Sequence, residues 1–177
     1  MHREEELRKY SAAIALLCCS AAVLLAQRGP STPEERERFV KIAHALEDSP
    51  STADIKEREW AFKWLIEVPD ISVKICAGGA TEPLLKKKGK VSSDLLVQTT
   101  LSSAAFVIEH PEKASDLPAV QLAGIEGMLK MYEAIVKEKP KEHIRGIDDL
   151  LQQRAAGKLA DVATKQAAGC HNESGKI

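Results

Sequence analysis

Eight prolines punctuate the chain, and the intervals between them set what it can fold into. Proline removes a backbone donor and disfavours helical geometry in the residue before it, so it ends a helix or sits in the first turn of one. After residue 32, Pro33, Pro50, Pro69, Pro83, Pro111, Pro118 and Pro140 leave stretches of helix length in which apolar residues recur at spacings of three and four. Strand-like alternation stands out in Ile71-Ser72-Val73-Lys74-Ile75, and no second run offers that segment a clear partner. The chain therefore reads as all-α: a single globular domain of five or six helices over residues 33–167, behind an N-terminal signal-like segment.

Thr32-Pro33-Glu34-Glu35 is a strong helix start, with a hydroxyl cap, proline at the first helical position and glutamate three residues after the cap. Phe39, Ile42, Ala43 and Leu46 share a face, and Asp48-Ser49-Pro50 ends the helix. A second helix is expected from Thr52 to Val68. Its apolar residues Trp60, Ala61, Phe62, Trp64, Leu65, Ile66 and Val68 cover about 240° of the circumference, which predicts a central place in the core. Trp60 and Trp64 read as a packed core pair or as a stacking platform for a sugar or peptide.

Residues 70–91 are expected to open with a short helix capped by Asp70, because a lone strand leaves its backbone unsatisfied. Gly78, Gly79 and Pro83 then break the chain before the basic cluster Lys86-Lys87-Lys88-Gly89-Lys90. That cluster lacks P-loop spacing and interleaved aromatics; it reads as a solvated loop or as a contact for a phosphate, an anionic surface or an acidic partner. Ser92 or Ser93 is expected to cap a helix that reaches Glu109 and ends at His110-Pro111, with Val97, Leu101, Ala104, Ala105 and Ile108 on one face. Asp116 and Pro118 open the longest helix, to about Lys137. Its stripe is Val120, Ala123, Met128, Met131, Tyr132 and Ile135, and its internal Gly124 and Gly127 imply close approach of another helix. Each of those glycines costs about 1 kcal/mol relative to alanine. A helix over Glu142–Arg154 and a weaker one from beyond Gly157 to about Gln166 complete the domain, and residues 168–177 read as a flexible tail. The expected core comprises Phe39, Ile42, Leu46, Trp60, Phe62, Leu65, Ile66, Val97, Leu101, Ile108, Val120, Tyr132, Ile135, Leu150 and Leu151.

Residues 1–9 are polar and residues 10–26 carry no charge, the layout of a signal peptide cut after Ala26, with 27–32 as a linker. The apolar run also reaches the lower limit of a membrane span, about 17 residues. The expectation is an exported protein, periplasmic or extracellular, or else one held by a single membrane span. Without residues 1–26 the remaining cysteines are Cys76 and Cys170, which an oxidising compartment would join as a disulfide.

A net charge of −1 gives no electrostatic reason to expect nucleic acid. His44, His110, His143 and His171 lack partners at zinc spacing, although His44 and Glu47 form an i,i+3 pair. Nucleophile-elbow, zinc-protease, dinucleotide and calcium-loop motifs are missing, so no catalytic, cofactor or metal residue is assigned and no cofactor is expected. The function expected is an exported binding or interaction module of the cell envelope, its partner a protein or envelope component, touching membrane only if residues 1–26 are retained. The alternative is an envelope-associated hydrolase whose site the sequence does not reveal. Candidate contact residues are Trp60, Trp64, Lys86, Lys87 and Lys88. A contiguous apolar patch favours the first reading, and a concave pocket of convergent titratable groups the second.

Overall fold

In the computed structural model, which describes residues 28–51, 54–76 and 78–170, every regular element is helical. The signal-like segment over residues 1–26 and the tail beyond Cys170 lie outside the described residues. The α-helices are α1 (Pro33–Asp48), α2 (Ile55–Glu67), α3 (Glu82–Lys86), α4 (Lys90–Glu109), α5 (Leu117–Glu138), α6 (Arg145–Ala155) and α7 (Leu159–Gly169). That is seven among the described residues rather than five or six, and α3 is only five residues long.

Helix starts follow local chemistry. Thr32 and Glu35 form a reciprocal capping box on α1, with bonds of 3.1 and 3.2 Å between each side chain and the other's backbone N–H. Asp54 caps α2 by accepting from Lys56 N, and Asp116 caps α5 by accepting from Ala119 N. The serine cap expected for α4 is not used. That helix starts at Lys90 behind Gly89, whose φ of +148° suits glycine, and Ser93 Oγ instead donates to Gly89 O.

The α4–α5 pair is the spine, with α1 packed across both and α7 along α5. One apolar cluster joins α5 to α6 and α7 through Ile125, Met128, Leu129, Tyr132, Ile147, Leu150 and Leu159. A second joins α1, α2 and α4 through Phe39, Leu46, Trp64, Leu101, Ala104 and Ala105. Over its length α4 has the apolar composition of a membrane span, but half of the stretch is buried in this bundle.

The expected centre and the expected core list are also corrected. The helix at the centre is α5, not α2. Of the expected core, Phe39, Ile42, Leu46, Leu101, Val120, Tyr132 and Leu150 are buried. Trp60, Leu65, Val97, Ile108, Ile135 and Leu151 are half-buried, and Phe62 and Ile66 are exposed. The broad apolar arc of α2 has two targets: Ala61 and Trp64 face the bundle, while Phe62 and Ile66 face outward.

Residues 71–76 are extended rather than helical. Asp70 does not cap them, because its carboxylate accepts from Ser31 N (2.8 Å), Ser31 Oγ (2.7 Å) and Arg36 (2.6 Å). Desolvation would raise the Asp70 pKa, but those donors outweigh it and hold the group down at about 2. The extended segment is hung on the bundle by side chains. Gln121 Nε2 donates to Lys74 O (2.8 Å), Gln166 Nε2 to Gln121 Oε1 (2.9 Å), and Ala80 N to Gln166 Oε1 (2.8 Å). A disulfide joins Cys76 to Cys170, buried at the end of α7, so chain order continues past residue 167.

Candidate functional site

Because α2 turns Phe62 and Ile66 outward and the amide chain holds residues 71–76 extended, a trough opens between those two elements and α4. Phe62 forms one side, Val73 and Ile75 the other, and Leu85 of α3 closes an end. Leu96, Val97, Thr99 and Thr100 of α4 line it from below, with Ser103, Gln121 and Gln166 deeper. Its volume is about 290 Å³, and it continues past Phe62 and Ile75 to a small hollow beside Leu65, Ile66 and Ile71. The exposed large apolar side chains of the described residues are Ile55, Phe62 (39% exposed), Ile66 (55%), Ile75 (41%) and Leu85 (53%), and all but Ile55 border this trough. Scattered exposed apolar residues are ordinary, but a gathering of this kind on one concavity marks a contact surface.

The polar groups along the lining are already engaged within the protein. Thr99 Oγ1 donates to Leu95 O and Thr100 Oγ1 to Leu96 O, the backward bonds typical of helical threonines. Ser103 Oγ donates to Val120 O, and Thr81 Oγ1 to Gly78 O. Both glutamine amides belong to the chain that suspends Lys74 and Ala80, and Cys76 is in its disulfide. Lys74 is the one charged residue of the lining. It is half-buried, and its ammonium has no hydrogen-bond or ion-pair partner among the described residues.

Other hollows are lined by charged side chains that pair with one another. Arg58 and Lys90 pair with Asp94 in a hollow of about 280 Å³ between α1, α2, α4 and α5, and Arg38 pairs with Glu57 beside α1 and α2. Two further polar clusters lie at helix junctions. Glu47 of α1 is buried where α1, α4 and α5 meet, and it accepts from Ser102 Oγ (2.7 Å) and Lys130 Nζ (3.1 Å). His44 bridges Glu47 and Glu109 at 3.2 Å to each. Burial would raise the Glu47 pKa, but Ser102, His44 and Lys130 outweigh it and lower it. Partial burial would lower the His44 pKa, but its two glutamates raise it. Gly127 lies directly against this junction, and Gly124 against Ser103 and Thr99, so the close approach expected from the two glycines is made by α4. A second node joins Tyr132, Asp148 and His143: Tyr132 Oη donates to Asp148 (2.7 Å) and accepts from Ile144 N (2.7 Å). Desolvation and Asp148 hold the phenol up at about 12, against the lowering effect of the Ile144 N–H. No group of three or more potential metal ligands gathers among the described residues.

The candidate contact residues lie apart from the trough. Trp64 is buried, its ring 4.8 Å from Phe39 and 5.8 Å from Trp60. Trp60 carries the Arg38 guanidinium 3.9 Å over its ring, and Arg38 is held in turn by Glu57. The basic cluster is dispersed by pairing: Lys86 with Glu82 (2.7 Å), Lys87 with His143 O (2.9 Å) and Lys90 with Asp94 (2.8 Å), while Lys88 is exposed. Sequence reasoning missed Phe62, Ile66, Lys74, Ile75 and Leu85 as a site. Its signals were the excess apolar arc of α2 and the solitary alternation of 71–75. Compared with family models, curated proteins and solved structures, the chain matches none.

Proposed function

We propose that this protein is a binding module that receives the apolar part of a cell-envelope component in the trough between α2, residues 71–76 and α4. One observation carries the reading: the exposed large apolar side chains Phe62, Ile75 and Leu85, with Ile66 in the adjoining hollow, converge on a concavity whose lining holds no carboxylate, imidazole or free thiol among the described residues. Ligand sites are typically concave and mainly apolar, with few polar groups to set orientation, and this trough has that balance. The module is proposed to work after export. The uncharged run of residues 10–26 supports this, as does the Cys76–Cys170 bond, a kind that persists in oxidising compartments.

The test is a titration of the full-length chain with dodecanol, a neutral apolar probe, followed by amide chemical shifts. Saturable binding at one site is expected, with shifts centred on α2, residues 71–76 and α4. A Phe62→Asp/Leu85→Asp variant should keep its helical circular dichroism, because both side chains are substantially exposed, and should lose the binding. No saturable binding, or binding that the double variant retains, overturns the proposal.

A further inference from the structure

Resting on the trough as a binding site, we infer that its ligand is a single-chain anionic amphiphile, a long-chain carboxylate whose alkyl tail lies along Phe62, Ile75 and Leu96 and whose head meets Lys74. The class follows from what the lining has left to offer. Its hydroxyls and amides are engaged by the protein, so a sugar or nucleotide would bring many polar groups to a surface with few free partners. What remains is apolar surface and one cation. Lys63 and Lys86, next in sequence to the lining residues Phe62 and Leu85, are outside the lining and pair with Glu67 and Glu82, whereas the Lys74 ammonium has no partner among the described residues. An unpaired ammonium on a half-buried lysine of an otherwise apolar lining is complementary to one negative charge on an otherwise apolar body.

Shape separates a single chain from a bilayer. Membrane-binding surfaces push apolar side chains outward, whereas here they border a depression of about 290 Å³. That volume is near the lower end for small-molecule sites, about 300 Å³, and suits one alkyl chain better than a fused-ring ligand.

The experiment is isothermal titration of the full-length, disulfide-bonded protein with dodecanoate, dodecanol and dodecylammonium, each kept below its aggregation threshold. Dodecanoate should bind at one site per chain, about tenfold more tightly than dodecanol, with dodecylammonium weakest; a charge-assisted contact supports a difference of that order. Lys74→Gln should bring dodecanoate down to the affinity of dodecanol and leave dodecanol unchanged, whereas Lys88→Gln should alter neither. Equal binding of dodecanoate and dodecanol by the native chain overturns the assignment of the head group while leaving the apolar site standing. Absence of dodecanol binding removes both. A dimer detected by sedimentation and dissolved by Phe62→Asp would make a second copy the occupant, and tighter competition by a neutral apolar peptide would make it a protein segment; either result overturns the inference.

Discussion

Replacing Gly127 with alanine sets two effects of opposite sign against each other. In a helix interior the change from glycine to alanine is worth about 1 kcal/mol of added stability through backbone entropy. Here the new Cβ would stand 2.5 Å from both Ser102 Cβ and Glu47 Oε1, and closer still to Ser102 Oγ. Rotating the serine hydroxyl does not relieve this, because the Ser102 Cβ is fixed to the α4 backbone. The α4–α5 spacing must widen, and the Ser102–Glu47 hydrogen bond is displaced with it. Overpacking of this kind costs about 1–3 kcal/mol, and a lost hydrogen bond to a buried carboxylate about 1.5–3 kcal/mol. With both costs incurred, the net loss after the propensity gain is about 1.5–5 kcal/mol. At roughly 2–4 °C per kcal/mol for a chain of this size, the melting temperature should fall by about 10 °C.

Thermal and urea melts followed at 222 nm measure this directly on the full-length oxidised protein. Gly169→Ala is the matched control, since a Cβ built there meets nothing within 4 Å. It should be neutral or slightly stabilising. If Gly127→Ala melts at or above the native temperature, the steric argument for the α4–α5 contact is wrong and propensity governs the site.

Tyr132→Phe removes a hydroxyl that serves both Ile144 N and Asp148, and the urea midpoint should report a loss of about 1–3 kcal/mol. Absorbance titration of the native chain should show this phenol ionising at about 12, with its contribution intact below the ordinary value of 10.0 and lost as pH rises through about 12. At the Glu47 junction the limbs run oppositely. The lowered Glu47 pKa gives stability that is full above 4.5 and lost on acidification, while the raised His44 pKa gives stability that is full below 6.5 and lost as pH rises. Urea midpoints across that range should lose the acid limb in Glu47→Gln and the alkaline limb in His44→Gln; unchanged profiles would contradict the coupling. Peptide mapping after alkylation without reductant should recover Cys76 linked to Cys170. The Cys76→Ser/Cys170→Ser variant should lose at most about 4–5 kcal/mol, the chain-entropy value for this loop, whereas alkylation at both positions would refute the bond.

Features set by neighbours a few residues away were legible in the sequence. The Thr32–Glu35 box and the Asp116 cap are short-range hydrogen-bond patterns, and the structure uses both. Gly124 and Gly127 announced a close approach, because glycine in a helix interior is unfavourable unless another element needs the space. Residues 70–76 were not legible, since their conformation depends on Gln121 and Gln166, residues far along the chain whose amides supply what a neighbouring strand would otherwise provide. The Asp70 cap failed for a related reason: Ser31 and Arg36 compete for the same oxygens.

The misreading of α2 has a further consequence. Periodicity reports how much of a helix is apolar, not how many separate surfaces its apolar residues serve. An arc of about 240° would imply full burial if the helix had neighbours on every side. In this fold α2 leans on α1 and α4 from one side, which Ala61 and Trp64 satisfy, and Phe62 and Ile66 are left beyond what packing requires. The alternation of residues 71–75 is the matching excess: Ile71 reaches the core, while Val73 and Ile75 border the trough. Each surplus looked like ordinary core when taken alone. Facing one another across a concavity beside an unpaired lysine, they are better explained as a surface kept apolar for a ligand than as a core left unfinished, because exposed apolar area lowers solubility and adds no packing in the unbound protein.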